Sequence, residues 1–552
     1  IHPHHGSLGQ GRRQRLDAVG LRRSRFAWLR RNVRDSFVSK ARLMFLNDWL
    51  TRRNLYTPER VAVVDDADGC RYRYCDLQRR AIRLAHLLCT TCEIRPGDRV
   101  ACLSTNRIEY IDLYFACGKL GAVLVPLNVR LPAAGIIELL EDCQAKVLVY
   151  EAEFAEAADA AQRASVVSQG LRIDGQGSST ETLTEWLAEA DATVPPFDVF
   201  PAQESDIAMI LYTSGTTGRA KGAMIPFRQI HWNALNTIIG LQLSEKDTAF
   251  LNMPLYHTGG WHVLFTPLML LGGRVVLQKR FDPQRCNSLL GPEAITILFG
   301  VPTTMRMMWE ADNFSAADFS SVRFAIFGGE SCPLELIEAY DNRGVAMRQG
   351  YGLTEAGPNC FSLPAGDAIR KQGSIGFPNF HVGVRLVTAD GRQAEVGEVG
   401  ELWMKGPHLF AGYWNNHAET DKALKQGWLA TGDLMTRDAE GYYRVVGRKK
   451  DMYVSGGENV YPAQVERILQ MHPAVALAAV IGVPDERWGE TGCAFISFHQ
   501  GQTTSASELD TWCKEHLATF QCPTQFVVIR EMPIGASGKI DKRMLARQIQ
   551  KH

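Results

Sequence analysis

Short apolar runs rich in β-branched residues recur along the first two thirds of the chain, with helical periodicity between them. Val61–Val64, Val100–Leu103, Ala122–Leu127 and Lys146–Tyr150 read as strands, and Tyr74–Leu88, Ile108–Leu120 and Pro132–Asp142 as helices. Strands alternating with helices of this length predict βαβ units and a mostly parallel sheet. The alternation resumes with strand candidates Ile207–Tyr212, Val275–Leu277, Ile295–Phe299, Arg323–Phe327 and Val345–Arg348. Helices fit Phe227–Ile239, Val263–Leu271, Pro302–Trp309 and Pro333–Asn342. The stretch 165–205, rich in Ser, Gly, Thr and acid, reads as a surface excursion. From Val382 the pattern shortens to strands and Gly-rich turns, which predicts an antiparallel sheet or small barrel. After Gly447-Arg448-Lys449-Lys450-Asp451 the pattern changes again: a helix with Pro462 in its first turn, strands Val475–Ile481 and Cys493–Phe498, a helix near Ser507–Leu517 and a strand at Gln525–Ile529. The expected architecture is α/β. A large N-terminal domain over 44–447 holds βαβ-type, mostly parallel sheets plus a small β-barrel-like part, and a smaller α+β domain covers 448–552.

Composition agrees with this. A chain of 552 residues exceeds one ordinary core, and 45 % hydrophobic with 22 % charged residues is globular usage. Sixty basic residues balance sixty acidic ones, so no global charge favours nucleic acid as a partner. The longest apolar region, Val263 to Leu271, is too short to span a bilayer. Thirteen cysteines form no framework. Cys89 and Cys92 have redox or zinc spacing but no second pair, so they read as packed free thiols in a reducing, cytoplasmic setting. The chain opens Ile1-His2-Pro3-His4-His5 without a methionine, which reads as partly added sequence or a fragment edge. Within 1–43, eleven basic residues between Arg12 and Arg42 face only Asp17 and Asp35, and Phe26, Leu29, Val33 and Phe37 recur at helical spacing. Such an extension is either solvated or a peripheral membrane contact.

The densest chemical pattern is Tyr212-Thr213-Ser214-Gly215-Thr216-Thr217-Gly218-Arg219-Ala220-Lys221-Gly222, at the end of a predicted strand. Hydroxyls and glycines let backbone N–H groups wrap an anion, and the lysine adds charge, as a triphosphate requires. A plain polar turn has no need of four hydroxyls and a lysine within nine residues. The Gly-Lys-Ser/Thr ending of a Walker loop is missing, since Lys221 precedes Gly222.

This segment resembles the signature loop of the adenylate-forming superfamily: acyl- and aryl-CoA ligases, peptide-synthetase adenylation domains and luciferases. Further blocks follow in the family's order: Pro254-Leu255-Tyr256-His257-Thr258-Gly259-Gly260, Gly328-Gly329-Glu330, Gln349-Gly350-Tyr351-Gly352-Leu353-Thr354-Glu355 and Gly400-Glu401-Leu402-Trp403. After them come Thr431-Gly432-Asp433-Leu434, the 447–451 junction, Ser455-Gly456-Gly457-Glu458-Asn459-Val460-Tyr461-Pro462 and Gly538-Lys539-Ile540. The resemblance runs from about Leu46 to Leu545.

It implies an ATP-dependent acid–CoA ligase that forms an acyl-adenylate with release of pyrophosphate and then passes the acyl group to CoA. ATP, Mg²⁺ and CoA would be bound. Tyr351 would stack on adenine, with Gln349, Gly350, Gly352 and Gly329 about the nucleotide. Thr354 would reach the α-phosphate, and Glu355 with Thr217 would hold Mg²⁺. Asp433 would accept the ribose hydroxyls with Arg448 assisting. Lys539 would bridge the attacking carboxylate and the α-phosphate. Lys450 would be the hinge of a mobile C-terminal domain that presents Lys539 first and the Gly456–Gly457 face, for the pantetheine arm, second. His257, Gly328 and Gly329 would line the acyl pocket, with Trp261 helping to shape it.

Two positions depart from the family pattern. Ala220 replaces the usual proline of the loop, and Glu330 follows the glycine pair where a small apolar residue is common. The block Tyr256–Gly260 has no aspartate to hold an amino group, and the chain ends thirteen residues past Lys539. Both favour CoA over a carrier-protein thiol as acceptor. A non-catalytic nucleotide binder would not retain Lys221, Glu355, Asp433, Lys450 and Lys539 together. A medium- or long-chain fatty acid is the favoured substrate and an aryl acid the alternative; monomer and homodimer both stay open.

Overall fold

The computed structural model describes residues 47–175, 182–188, 196–213, 220–329, 332–533 and 540–549. The basic extension, Ser214 to Gly218, Glu330 and Lys539 lie outside the described residues.

The architecture is mixed α/β, with a large N-terminal part of several sheets and a small C-terminal α+β unit. One six-stranded sheet orders Gln169–Arg172, Val147–Tyr150, Arg99–Leu103, Val123–Pro126, Ile207–Thr213 and Lys221–Pro226. All neighbours are parallel except the last pair, an antiparallel hairpin whose connection is the candidate phosphate loop. The strands Arg99–Leu103 and Val147–Tyr150 are buried nearly throughout, as expected where helices cover both faces.

The second sheet runs parallel through Val61–Asp65, Arg274–Leu277, Thr248–Leu251, Ile297–Gly300, Phe324–Phe327 and Ala346–Leu353. The path then turns antiparallel through Gly357–Ser362, Ser374–Pro378, Tyr443–Arg448, Trp428–Arg437, Gly400–Lys405 and Gly383–Val387. Helices Tyr74–Thr90, Ile108–Leu120 and Phe227–Leu241 contribute to one core shared by both sheets. The C-terminal unit has its own core, in which strands Val475–Asp485 and Gly489–Phe498 pack against helices Pro462–Gln470 and Ala506–His516.

Most predicted elements are present, some with shifted ends. The expected Val263–Leu271 helix is present as Phe265–Leu271, preceded by a separate short helix, Thr258–His262. The 165–205 stretch is not wholly irregular. Gln169–Arg172 adds an edge strand to Val147–Tyr150, and Leu183–Ala188 is a short helix. An edge strand lies largely in contact with solvent, so its polar composition hides it. Cys92 is buried and Cys89 half-buried, both as free thiols. No helix among the described residues is long and apolar enough to cross a membrane.

The described chain begins on a buried ion pair. Lys119 Nζ lies 2.6 Å from Asp48 Oδ1, with side chains 0 % and 1 % exposed. Thr51 Oγ1 accepts from the same ammonium, and Asp48 caps the helix Trp49–Tyr56. Burial lowers the Lys119 pKa and the Asp48 carboxylate opposes that shift. Such a pair contributes little over an apolar replacement, but half of it alone is costly. Lys119→Met is therefore expected to destabilise the protein by about 3–5 kcal/mol, read as a lowered urea midpoint. Asp48→Leu in the same chain should restore most of the loss; equal midpoints for the single variant and the parent would contradict this.

Candidate active site

The ends of the parallel strands are bare of side chains where the second sheet turns antiparallel. Gly328 follows Phe324–Phe327, and a Cβ on it would sit 3.3 Å from the Gly350 carbonyl oxygen on the adjacent strand. Gly329 has φ +86°, a left-handed backbone that suits glycine. A Cβ on Gly352 would run into the backbone of Pro358 across the turn, so no side chain fits there. Phe299 reaches from its own strand end to within 3.7 Å of a Cβ position on Gly259, next to His257. Gly328, Gly350 and Gly352 thus allow close approach of backbone and packed side chains at these strand ends, and Phe299 packs on Gly259 two residues past His257.

Tyr351 lies between Gly350 and Gly352 on the strand Ala346–Leu353. Its hydroxyl donates to Asp433 Oδ2, and Arg448 Nε approaches Asp433 Oδ1 at 2.6 Å. Asp433 and Arg448 face each other across an antiparallel strand pair, and Asp433 is 3 % exposed. Burial, with the Asp433 carboxylate beside it, pushes the Tyr351 hydroxyl well above its ordinary range, so it remains a donor. Burial works against the Arg448 charge, but Asp433 together with Tyr351, Glu355 and Asp451 outweighs it, and the guanidinium pKa rises. Gln349 is buried within the strand, and Gln229 Nε2 donates to the Thr354 carbonyl at 2.8 Å.

The hairpin of Ile207–Thr213 and Lys221–Pro226, whose connection is the candidate phosphate loop, meets residues 411–414. Met224 N donates to Gly412 O, Ala411 N to Met224 O and Trp414 N to Gly222 O, so the segment runs along the strand Lys221–Pro226. It delivers Tyr413, whose hydroxyl donates to Glu355 Oε1 at 2.8 Å and whose ring centroid lies 5.3 Å from Lys221 Nζ. Burial and the Glu355 carboxylate raise the Tyr413 pKa, which keeps this proton in place. Lys221 also pairs with Glu419. Thr213 ends its strand opposite Lys221. Two polar clusters result: Lys221, Tyr413 and Glu355 in one, and Tyr351, Asp433 and Arg448 in the other.

Glu355 supplies a hard oxygen donor suited to Mg²⁺. Among the described residues no group of three or more His, Cys, Asp or Glu gathers around it. The fit is therefore to an ion held largely by phosphate oxygens and water, as Mg²⁺ commonly is.

Other expected residues lie elsewhere. Lys450 is exposed in the turn after Tyr443–Arg448. Gly456 and Gly457 make the tight turn between Tyr453–Ser455 and Glu458–Val460, with φ +59° and +88°. Gly456 N donates to Trp488 O, and a Cβ there would press on the Trp488 ring. Trp261 departs from expectation. It is 0 % exposed, stacks 4.9 Å from Tyr114 and donates its indole N–H to Leu255 O. It backs the His257 segment from the core and does not line a pocket. His262 beside it is buried and its imidazole pKa pushed down to about 3, hence neutral. Sequence reasoning missed Tyr413 and Glu419. The only local sign is the aromatic pair Tyr413-Trp414 after Gly412.

Residues 50–414 match the AMP-binding enzyme family and residues 464–539 the AMP-binding enzyme C-terminal domain. A feruloyl-CoA synthase of Amycolatopsis sp is 38 % identical over 505 residues, covering 91 % of this chain and 99 % of that protein. Long-chain-fatty-acid–CoA ligase FadD13 of Mycobacterium tuberculosis is 34 % identical over 501 residues, covering 91 % and 98 %. The solved o-succinylbenzoate CoA synthetase of Bacillus subtilis, in complex with ATP and magnesium ion, is similar with a TM-score of 0.81 at 31 % identity. It matches over 90 % of this chain and 99 % of that one. These similarities place the chain in the adenylate-forming AMP-binding family, as an acid–CoA ligase of the AMP-forming type.

Proposed function

We propose that this ligase activates a planar aryl acid, of the cinnamate or benzoate kind, with ATP and passes it to CoA. The observation that carries the reading is the 38 % identity to a feruloyl-CoA synthase over 91 % of this chain. The Phe299 ring, packed on Gly259 beside the His257 segment, offers an aromatic face that suits a flat guest. The residue patterns lean toward a fatty acid, and the similarity to FadD13 keeps that as the second reading.

In this reading Tyr351 carries the adenine on its ring, while Asp433, held by Arg448, accepts the ribose hydroxyls. Thr213 to Gly218 and Lys221 hold the β- and γ-phosphates, and Thr354 reaches the α-phosphate. Glu355, with Thr217, holds Mg²⁺, which when bound neutralises phosphate charge. The acid's carboxylate oxygen attacks the α-phosphorus, the bond to the β-phosphate oxygen breaks, and pyrophosphate leaves. Lys539 stabilises the charge that builds between the two oxygens. The CoA sulfur then attacks the acyl carbonyl and AMP departs. Lys450 is the pivot that brings Gly456 and Gly457 toward the pantetheine arm. Lys449 N donates to Gly432 O and its ammonium lies 3.0 Å from Glu401, so the large part's hold on the chain reaches Lys449 and Lys450 is exposed beyond it.

Pyrophosphate release measured with ferulate, cinnamate and benzoate against fatty acids of increasing length tests the substrate. Aryl acids should give the higher kcat/KM, and a rise with aliphatic chain length would move the reading to a fatty acid. Tyr351→Ala should raise the KM for ATP by about 5- to 150-fold, the worth of one base–aromatic stack. Lys539→Ala should lose adenylate formation yet still convert a preformed acyl-adenylate to thioester. Normal adenylation by that variant would exclude Lys539 from the first step.

A further inference from the structure

Lys221 opens the strand Lys221–Pro226, and its ammonium is paired with the Glu419 carboxylate; the side chains are only 11 % and 20 % exposed. The second Glu419 oxygen takes Lys422 Nζ at 2.7 Å. Placement of Glu419 is built in. Asn416 caps the helix His417–Ala423 by accepting from Glu419 N at 3.1 Å. Residues 411–414, just ahead of that helix, are bonded along the Lys221 strand, and Thr420 Oγ1 accepts from Tyr413 N at 2.8 Å. Glu419 and Tyr413 thus meet Lys221 from one rigid strip, and Tyr413 links onward to Glu355. The two lysines hold the Glu419 carboxyl at about 2, Lys221 foremost, so it is ionised at any working pH.

An ammonium this little exposed needs an anion, because leaving it unpaired costs far more than leaving it in water. With triphosphate bound, the phosphates supply that anion. Once pyrophosphate has left, another must. The geometry points to Glu419 as a positioning residue that takes Lys221 back from the departing pyrophosphate, competing with polyphosphate for the same ammonium. This rests on the reading that Lys221 holds phosphate. No bond is made or broken in the exchange; one ion pair replaces another.

Competition has a signed consequence. Removing the Glu419 charge frees Lys221 for phosphate, so polyphosphates bind more tightly and leave more slowly. Glu419→Gln is expected to lower the KM for ATP and the inhibition constant of pyrophosphate by up to about five-fold, the worth of a partly shielded pair. It should lower kcat if pyrophosphate departure limits turnover, and Glu419→Asp should restore part of the parent values. A merely structural role would reduce thermal stability without tightening pyrophosphate. Lys221→Gln is the control. It should weaken ATP and pyrophosphate, and Glu419→Gln added to it should change neither further. Weaker or unchanged pyrophosphate inhibition in Glu419→Gln, with Lys221→Gln weakened as expected, overturns the inference alone. If Lys221→Gln changes neither constant, the phosphate role of Lys221 falls and the inference with it.

Discussion

The Asp433 carboxylate is the contact on which the geometry of the site depends. Tyr351 lies on the last parallel strand, whereas Asp433 lies four steps further along the hydrogen-bonded path. In a flat sheet four steps would separate them by about 19 Å. Their side chains nevertheless touch, so the antiparallel strands must curl back over the ends of the parallel ones. The aromatic contacts inside the curl agree. Tyr351 meets Phe361 at 5.7 Å between ring centroids, and Phe361 meets Tyr443 at 5.2 Å. Closure brings the Asp433 carboxylate to the Tyr351 hydroxyl on the last parallel strand.

The same curl decides how charge is carried. Three carboxylates and three cations are involved, and each anion has a partner in place: Arg448 and Tyr351 for Asp433, Tyr413 for Glu355, Lys221 and Lys422 for Glu419. Low-exposure charges are tolerable only on such terms. The arrangement also fixes the polar groups before any ligand arrives, so little reorganisation is left for the reaction. In the proposed mechanism the nucleotide replaces internal partners one for one.

Much of this was legible in the sequence, and the reasons are physical. Strands buried on both faces, such as Val100–Leu103 and Lys146–Tyr150, announce themselves by apolar runs between helical periods. The motif blocks mark where glycines and polar residues interrupt those runs, and nearly all fall at strand ends. Edge strand Gln169–Arg172 gives no such signal because solvent covers much of it. Tyr413 and Glu419 were hidden for another reason: their importance comes from residues 411–414 lying along the Lys221 strand, a pairing nearly two hundred positions apart in sequence. Trp261 misled in the opposite direction, since a tryptophan beside a site motif looks the same whether it faces the guest or the core. Its stack on Tyr114 settles that it faces the core.

Placing the pivot at Lys450 divides the site into two classes of residue. Asp433, Arg448, Tyr351 and Glu355 lie before it, and the hold on the chain through Gly432 and Glu401 reaches Lys449. Rotation about Lys450 would leave those contacts intact, so the adenosine would stay bound through both half-reactions. Lys539 and the Gly456–Gly457 turn lie beyond the pivot and would exchange places over the same fixed nucleotide. In the proposed mechanism one site would thus perform a phosphoryl-centre displacement and then an acyl transfer, because only the groups needed for one step would move between steps. The Asp433–Arg448 pair, two residues before the proposed pivot, would keep the nucleotide side fixed while the groups beyond it exchange.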